Sequence, residues 1–462
     1  MLAYALARAG QPAEGVAVLR KLIERHPSNA DAWHNLGSLL RIQRDVAGAA
    51  RAFKRAALLQ PANLDAEINA AYALIQLGRF AAAEEQIRAA LVRFPEEPDL
   101  WVNLAQIQRA SRRWDAAIAS LDRCLAKAPR HAGYRITRSL VLRDAGDADR
   151  ALAELGALID EQPQLDEPRF ARAQILLSRG AYRAGWADYL WRPDRNRWLA
   201  ARSMPPGSPP PALDLLRGKR VRVHGEQGLG DTLFFLRFVP QLMALAADVE
   251  LEVDPRLWAI LPPDWRRTVQ ADAEVLAGDL PAIFDAGSTP SLRLTCEGVA
   301  AEQLARCGAP PYVGVTWQAG LRWEDMVSPG QLSKSVPPGA LGQTLQRIPG
   351  TLIALQRKLQ PEELALISRA AQREVHNFSW VNENLADALA LLARLDEYIG
   401  VSNTSVHLNE ALGRPTRVLV THPAEWRWTE DQSKSPWFAH ARLYRQDRDG
   451  SWDAALARLA EK

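Results

Sequence analysis

The 462-residue chain is predicted to be an α plus α/β protein, an N-terminal helical solenoid followed by two lobes built on parallel sheets. Three observations predict this. Prolines recur at a fixed 34-residue interval through the first two hundred residues; the tract Met204-Pro205-Pro206-Gly207-Ser208-Pro209-Pro210-Pro211 ends that pattern; and beyond it short β-branched runs alternate with helical stretches.

The repeat is visible in several residue types at once. Pro27, Pro61, Pro95, Pro129 and Pro163 close successive units, and Gly10, Gly78, Arg112, Gly146 and Gly180 mark the turn between the two helices of a unit. Small residues recur where those helices cross, at Gly15, Ala83, Ala117, Ala151 and Gly185, and Leu36, Ala70 and Leu104 hold an apolar position that Arg138 breaks. This is the tetratricopeptide pattern. One helix pair of this length cannot bury its apolar stripe alone, so neighbours stack into a superhelix whose groove suits a peptide or protein. Leu2, Ala3 and Leu6 already occupy late helix positions, so the first unit is expected to be shortened or its first helix poorly capped. Trp186, Tyr189 and Trp191 follow the last turn, where aromatic residues are expected to cover the end of the array or pack it on the next domain, with sugar stacking as the alternative. The expected boundaries are 1–200 for the array, 201–213 for a semi-rigid proline linker, 214–308 for a first lobe and 309–462 for a second.

In the first lobe Arg220–His224, Val249–Val253 and Pro281–Phe284 read as strands, with a helix over Thr232–Ala246. In the second, strands are expected at Tyr312–Trp317, Leu352–Gln356, Glu374–Asn377, Glu397–Val401 and Arg417–Val420, with helices at Pro361–Ala371, Leu385–Arg394 and Ser405–Leu412. Such alternation implies parallel sheets whose ligands sit at the carboxyl ends of the strands.

Composition narrows the function classes. Apolar content of 47% and charged content of 24% are those of a soluble globular protein. A net charge of +3 without a Lys/Arg run argues against nucleic acid as a partner. Cys124, Cys296 and Cys307 form no CxxC and no cluster with histidine, so neither a disulfide framework nor a metal site is expected and the cytoplasm is the expected compartment. No apolar run approaches the ~18 residues that span a bilayer, and Met1-Leu2-Ala3-Tyr4 lacks the basic start of a secretion signal.

The chemistry-bearing stretches are Gly225-Glu226-Gln227-Gly228-Leu229-Gly230-Asp231-Thr232, the strand ending in Thr316-Trp317, Leu355-Gln356, Gly400-Val401-Ser402-Asn403-Thr404-Ser405-Val406-His407-Leu408, Gly413-Arg414-Pro415 and Glu425-Trp426-Arg427-Trp428. In this order, behind a repeat array and a proline linker, they resemble the heptosyltransferase-like glycosyltransferases fused to tetratricopeptide repeats. The resemblance implies a GT-B fold of two Rossmann-like lobes and a metal-independent enzyme, without cofactor, that transfers sugar from a nucleotide-sugar donor held by the second lobe. It also implies a protein acceptor recruited by the repeats, which in some proteins of this layout is flagellin.

On the residues themselves, Gly225, Gly228 and Gly230 permit close backbone approach at a strand-to-helix turn. Asp231 reads as the cap of the following helix or as the base for an acceptor hydroxyl, and Glu226 in the same loop is the second candidate base. Ser402, Asn403, Thr404 and Ser405 open a helix, where hydroxyls and N–H groups either hold a diphosphate or only cap the helix. His407 one turn on reads as a donor contact or a packed imidazole, Lys334 as a cation for the leaving diphosphate or a solvated loop lysine, and Gln356 as a lining residue of the donor pocket. Arg322 is a weaker substitute for Lys334. Relatives commonly carry Asp where this chain has Asn403, which marks either another donor or a lost activity. The alternative to an enzyme is therefore a non-catalytic interaction scaffold with a degenerate GT-B domain. Asp147-Ala148-Asp149 and Asp447-Arg448-Asp449 lack a strand context and read as surface charge, and a full GxGxxG is absent.

Overall fold

The computed structural model describes residues 2–288, 292, 294, 300–319, 334–430 and 433–461, so Cys296 and Arg322 lie outside the described residues. They fall into two compact units, one of residues up to 151 and one of residues from 152 onward.

The first unit is all helix: α1 (Leu2–Arg8), α2 (Pro12–Arg25), α3 (Ala30–Ile42), α4 (Val46–Leu59), α5 (Leu64–Gln76), α6 (Phe80–Arg93), α7 (Pro98–Ala110), α8 (Trp114–Lys127), α9 (Ala132–Asp144) and the start of α10 (Ala148–Glu161). Asn29, Asp45 and Asn63 start their helices by accepting from the N–H three residues on. Each hairpin turn places one residue in the left-handed region, at Gly10, Arg44, Gly78, Arg112 and Gly146. Arg44 fills the place that the glycine pattern skips, and a side chain there costs about 1–2 kcal/mol. Ala49, Ala83 and Ala117 are fully buried at the helix crossings. At the equivalent Gly15 even a methyl would lie 2.8 Å from Leu39 Cδ1 and from the Ala3 carbonyl. The indoles of Trp33 and Trp101 donate to the carbonyls of Pro27 and Pro95, which pins the recurring proline turns.

Where Arg138 replaces the apolar residue of the first helix, the interior turns polar. Arg138 pairs with Asp122 at 2.8 Å, and Asp144 is buried between Arg109 (2.7 Å) and Arg143 (2.6 Å). Burial opposes the charge of Asp144, but the two guanidinium groups bring its carboxyl below the usual range.

The second unit begins with α11 (Glu167–Ser178), α12 (Tyr182–Tyr189), α13 (Pro193–Ala200) and α14 (Leu213–Leu216). A first α/β layer follows: β1 (Arg220–His224), α15 (Leu229–Leu236), α16 (Val239–Met243), β2 (Asp248–Glu252), β3 (Ala273–Leu276), α17 (Leu280–Ile283) and α18 (Ala300–Cys307). The rest is β4 (Tyr312–Val315), β5 (Gln318–Ala319), β6 (Lys334–Ser335), α19 (Pro338–Leu345), β7 (Thr351–Ala354), α20 (Pro361–Ala371), β8 (Val375–Asn377), α21 (Leu385–Leu392), β9 (Glu397–Val401), α22 (Thr404–Ala411), β10 (Thr416–Val420), β11 (Ala441–Arg445) and α23 (Asp453–Ala460). One sheet has the order β2-β1-β3 and the other β11-β10-β9-β4-β7-β8, with every pairing in both parallel. An α-helical solenoid is thus followed by two parallel sheets of Rossmann-like α/β architecture.

Three local expectations are corrected. Pro281–Phe284 is not a strand: Leu280-Pro281 opens α17, because proline has no N–H for a ladder and fits a first helical turn, and the third strand is β3. The expected Thr232–Ala246 helix starts at Leu229 and breaks ahead of Pro240 into α15 and α16. β11 was not expected; it forms an edge beside β10.

The aromatic end of the repeats packs as expected. Trp186 is buried, donates from Nε1 to the Ala286 carbonyl at 2.8 Å and meets Trp426 and Trp437 edge-on. Trp191 stacks under the Arg169 guanidinium at 4.4 Å, and Gly207 of the proline tract lies so close that a Cβ would sit 2.3 Å from its ring.

Candidate functional site

The site is built where β1 and β9 end and α15 and α22 begin. After β1, the Gly225 N–H donates to the Glu252 carbonyl at 2.8 Å, and a Cβ on Gly225 would meet Val253 and Thr232 at 3.2 and 3.3 Å. Gln227 turns the chain with a left-handed φ of 62°, and Gly228 caps α15. The capping role considered for Asp231 is therefore corrected: Asp231 is the third residue of the helix, and its Oδ1 accepts from Arg427 Nη2 at 2.6 Å. The Arg427 guanidinium also lies over the rings of Phe234 (4.8 Å) and Trp426 (4.3 Å).

Glu226 is turned elsewhere. It accepts from Arg192 Nε and Nη2 at 2.9 and 2.6 Å and from the Gly278 N–H at 2.8 Å. Arg192 also holds Asp279 (2.6 Å), which Arg195 holds in turn (2.8 Å), and all four side chains are buried. Burial pushes the Glu226 carboxyl above its ordinary range, with Arg192 opposing.

At the start of α22, Asn403 is the cap. Its Oδ1 accepts from the Val406 N–H (3.1 Å), while its Nδ2 donates to Thr316 Oγ1 (2.9 Å) and the Tyr398 hydroxyl (3.1 Å). An aspartate has no N–H to give Thr316, so this inward hydrogen-bond network suits asparagine at the position. Ser405 is nearly buried beside Tyr398, whose phenol burial pushes upward. Ser402 Oγ and Lys334 Nζ both donate to Glu425, at 2.5 and 2.6 Å, and Trp428 Nε1 donates to it at 3.3 Å. Burial opposes the Glu425 charge, but Lys334 and Arg427 bring its carboxyl down to about 2.

The first turns of α15 and α22 touch. A Cβ on Gly230 would lie 3.2 Å from His407 Cδ2 and 3.7 Å from Thr404 Oγ1, so glycine here serves helix contact. His407 sits among aromatic rings, with Phe438 at 5.2 Å and Phe234 at 6.5 Å. Burial, then the nearby Arg427 and Arg237 charges, push its imidazole well below the usual range and leave it neutral at pH 7. Gln356 accepts from the Trp317 and Gln318 N–H groups and donates to the Gln318 and Arg357 carbonyls. It clips the ends of β4 and β7 together.

The structure thus gathers Gly228, Gly230, Asp231, Ser402, Thr404, His407 and Lys334 at one junction, through Arg427 and Glu425. Glu226 and Gln356 are engaged away from it. Arg427, Glu425 and Arg192 were missed as organisers. The run Glu425-Trp426-Arg427-Trp428 was conspicuous, but nothing local says which carboxylate an arginine will reach 196 positions away. Among the described residues no group of three or more His, Cys, Asp or Glu is placed to hold a metal, and no helix is long and apolar enough to cross a membrane.

Residues 1–64 and 68–132 match the family described as tetratricopeptide repeat. The chain is 28% identical over 331 residues to Protein FlbA of Caulobacter vibrioides, an alignment covering 63% of this chain and 54% of FlbA, so it spans about half the length of that relative. Solved structures that it resembles include MamA from Desulfovibrio magneticus RS-1 (14% identity, TM-score 0.32, 34% of this chain and 90% of that one). Another is a tetratricopeptide repeat protein from Parabacteroides merdae (18%, 0.39, 46% and 80%). A third is a thermophilic repeat protein of Thermus thermophilus (24%, 0.33, 37% and 96%).

The expectation of a metal-independent GT-B glycosyltransferase is corrected. The family model that matches is a tetratricopeptide repeat, not a transferase. Within the chain, both carboxylates that could serve as a base are already engaged by guanidinium groups, and the lysine assigned to a leaving diphosphate is neutralised by Glu425.

Proposed function

We propose that this chain is a cytoplasmic protein-interaction scaffold: the tetratricopeptide array binds a protein partner, and the α/β half is a degenerate GT-B-like body that keeps its lobes without transferase activity. The observation that carries the reading is the pairing of Asp231 with Arg427 and of Glu226 with Arg192. The oxygens of each carboxylate are turned to a guanidinium, and freeing either one would leave a buried arginine unpaired. A nucleotide-sugar donor would likewise have to break the Lys334–Glu425 pair, so no donor binding is assigned.

The test combines two measurements on the whole chain. A photo-crosslinking amino acid placed at Ser38, on the array, is expected to capture one partner in the native cell, and the intact mass of that partner is expected to carry no added sugar. Nucleotide sugars are expected to leave the melting temperature unchanged, whereas a ligand at 100 times its Kd would add about 2.7 kcal/mol. A sugar mass on the captured partner that disappears with Asp231→Asn would overturn the reading.

A further inference from the structure

The first helices of the repeats present one continuous face. Asn69 of α5 reaches His34 of α3 (3.3 Å), and Tyr134 of α9 reaches Asp99 of α7 (3.5 Å), each 35 positions apart, so equivalent positions line up from repeat to repeat. On that face the spacing i, i+3, i+7 brings together Asp31/His34/Ser38, Asp65/Ile68/Tyr72, Asp99/Val102/Gln106 and Gly133/Ile136/Leu140. The three aspartates form an exposed row, and none of them takes part in an ion pair among the described residues. Beside it runs a half-buried strip of Ile68, Val102, Ile136, Tyr72 and Leu140. The arginines at the far end of this face are spent internally, Arg109 and Arg143 on Asp144, leaving Arg41 exposed. An acid in a first turn also favours its own helix. That local effect does not set the alignment of three carboxylates along an apolar strip.

We infer, on the scaffold reading above, that the partner segment received here is extended and carries a basic side chain at every third residue with apolar side chains between. The geometry selects the spacing. Packed helices lie about 8–10 Å apart, so the aspartates should repeat at about that interval. A polyproline II segment has three residues per turn and rises about 3.1 Å per residue, which returns every third side chain to one side after about 9 Å. A β-strand would turn alternate basic residues away, because its side chains alternate.

The experiment measures binding of two fluorescein-labelled twelve-residue peptides to the full chain by anisotropy, one a repeat of Lys-Pro-Val and the other the same with Glu for Lys. The lysine peptide is expected to bind at least tenfold more tightly at 50 mM salt, with the preference shrinking at 0.5 M as screening sets in. Asp31→Asn, Asp65→Asn and Asp99→Asn combined are expected to abolish the preference, while the three corresponding Asp→Glu changes and, separately, Arg41→Gln retain it; circular dichroism shows whether each variant keeps its helix content. Equal binding, preference for the glutamate peptide, binding of neither, or a preference untouched in the Asn variant overturns the inference. If the crosslink from Ser38 still captures a partner in that case, only the partner chemistry falls and the scaffold stands.

Discussion

Arg427 donates to Asp231 across 2.6 Å while its own Nε stays buried without an acceptor among the described residues, so one ion pair ties the loop after β10 to the first turn of α15. Removing the acceptor strands a guanidinium that is almost wholly buried. Asp231→Ala is expected to destabilise the second unit by about 1–3 kcal/mol, less than a fully buried pair because Asp231 is itself one-third exposed. Asp231→Asn keeps an oxygen acceptor and is expected to cost under about 1 kcal/mol. Urea midpoints followed by tryptophan fluorescence check this, since Trp426 packs on Arg427; equal, near-zero effects would show that the pair does not hold the loop.

Arg192 anchors α13 to the first lobe by holding Glu226 and Asp279 at once. Arg192→Met leaves two carboxylates buried with Arg195 alone to share, and is expected to cost about 3–5 kcal/mol. Arg220→Ala, which breaks an exposed pair with Asp272, should leave the urea midpoint nearly unchanged. Denaturation of the two variants side by side decides whether burial sets the difference.

Arg44 adopts φ 63° in a turn where three of the four equivalent turns of the first unit use glycine. Arg44→Gly relieves a left-handed side-chain strain of about 1–2 kcal/mol and returns part of it as greater unfolded-chain entropy. The net expectation is a gain of about 0.5 kcal/mol, seen as a higher urea midpoint of the helical signal. A loss would mean that the arginine side chain contributes more than its backbone strain removes.

His407 is neutral in the fold, with its imidazole pushed well below the ordinary 6.5 by burial. Below pH 6.5 the unfolded chain therefore binds a proton that the folded chain does not, so this contribution is complete above that pH and is lost as pH falls. The slope is at most about 1.4 kcal/mol per pH unit for one proton. Glu425, lowered to about 2, adds a second loss as pH drops from about 4.5 toward 2. Urea midpoints from pH 8 to 5 should fall for the natural chain and stay flatter for His407→Gln; parallel curves would assign the slope to another group.

The repeat array and most strands were legible because each is written locally. A proline every 34 residues, a small residue at each crossing and a left-handed residue, most often glycine, at each turn state one requirement per repeat, and β9 was read at its observed bounds from its β-branched and aromatic run. What misled was equally local: Pro281 sits in an apolar run that resembles a strand until its missing N–H is counted. That Asp231 and Thr404 stand where a helix follows a strand was also readable. Their partners were not, since Arg427 and Arg192 reach carboxylates 196 and 34 positions away by way of the fold.

The sequence by itself determined the α-solenoid, the proline tract and the parallel α/β half, since backbone preference and side-chain period act over a few residues. Only the tertiary structure decided the state of the charged groups. Two carboxylates that read as bases became the counter-ions of buried arginines, because a guanidinium that loses water must find an anion wherever the packed chain places one.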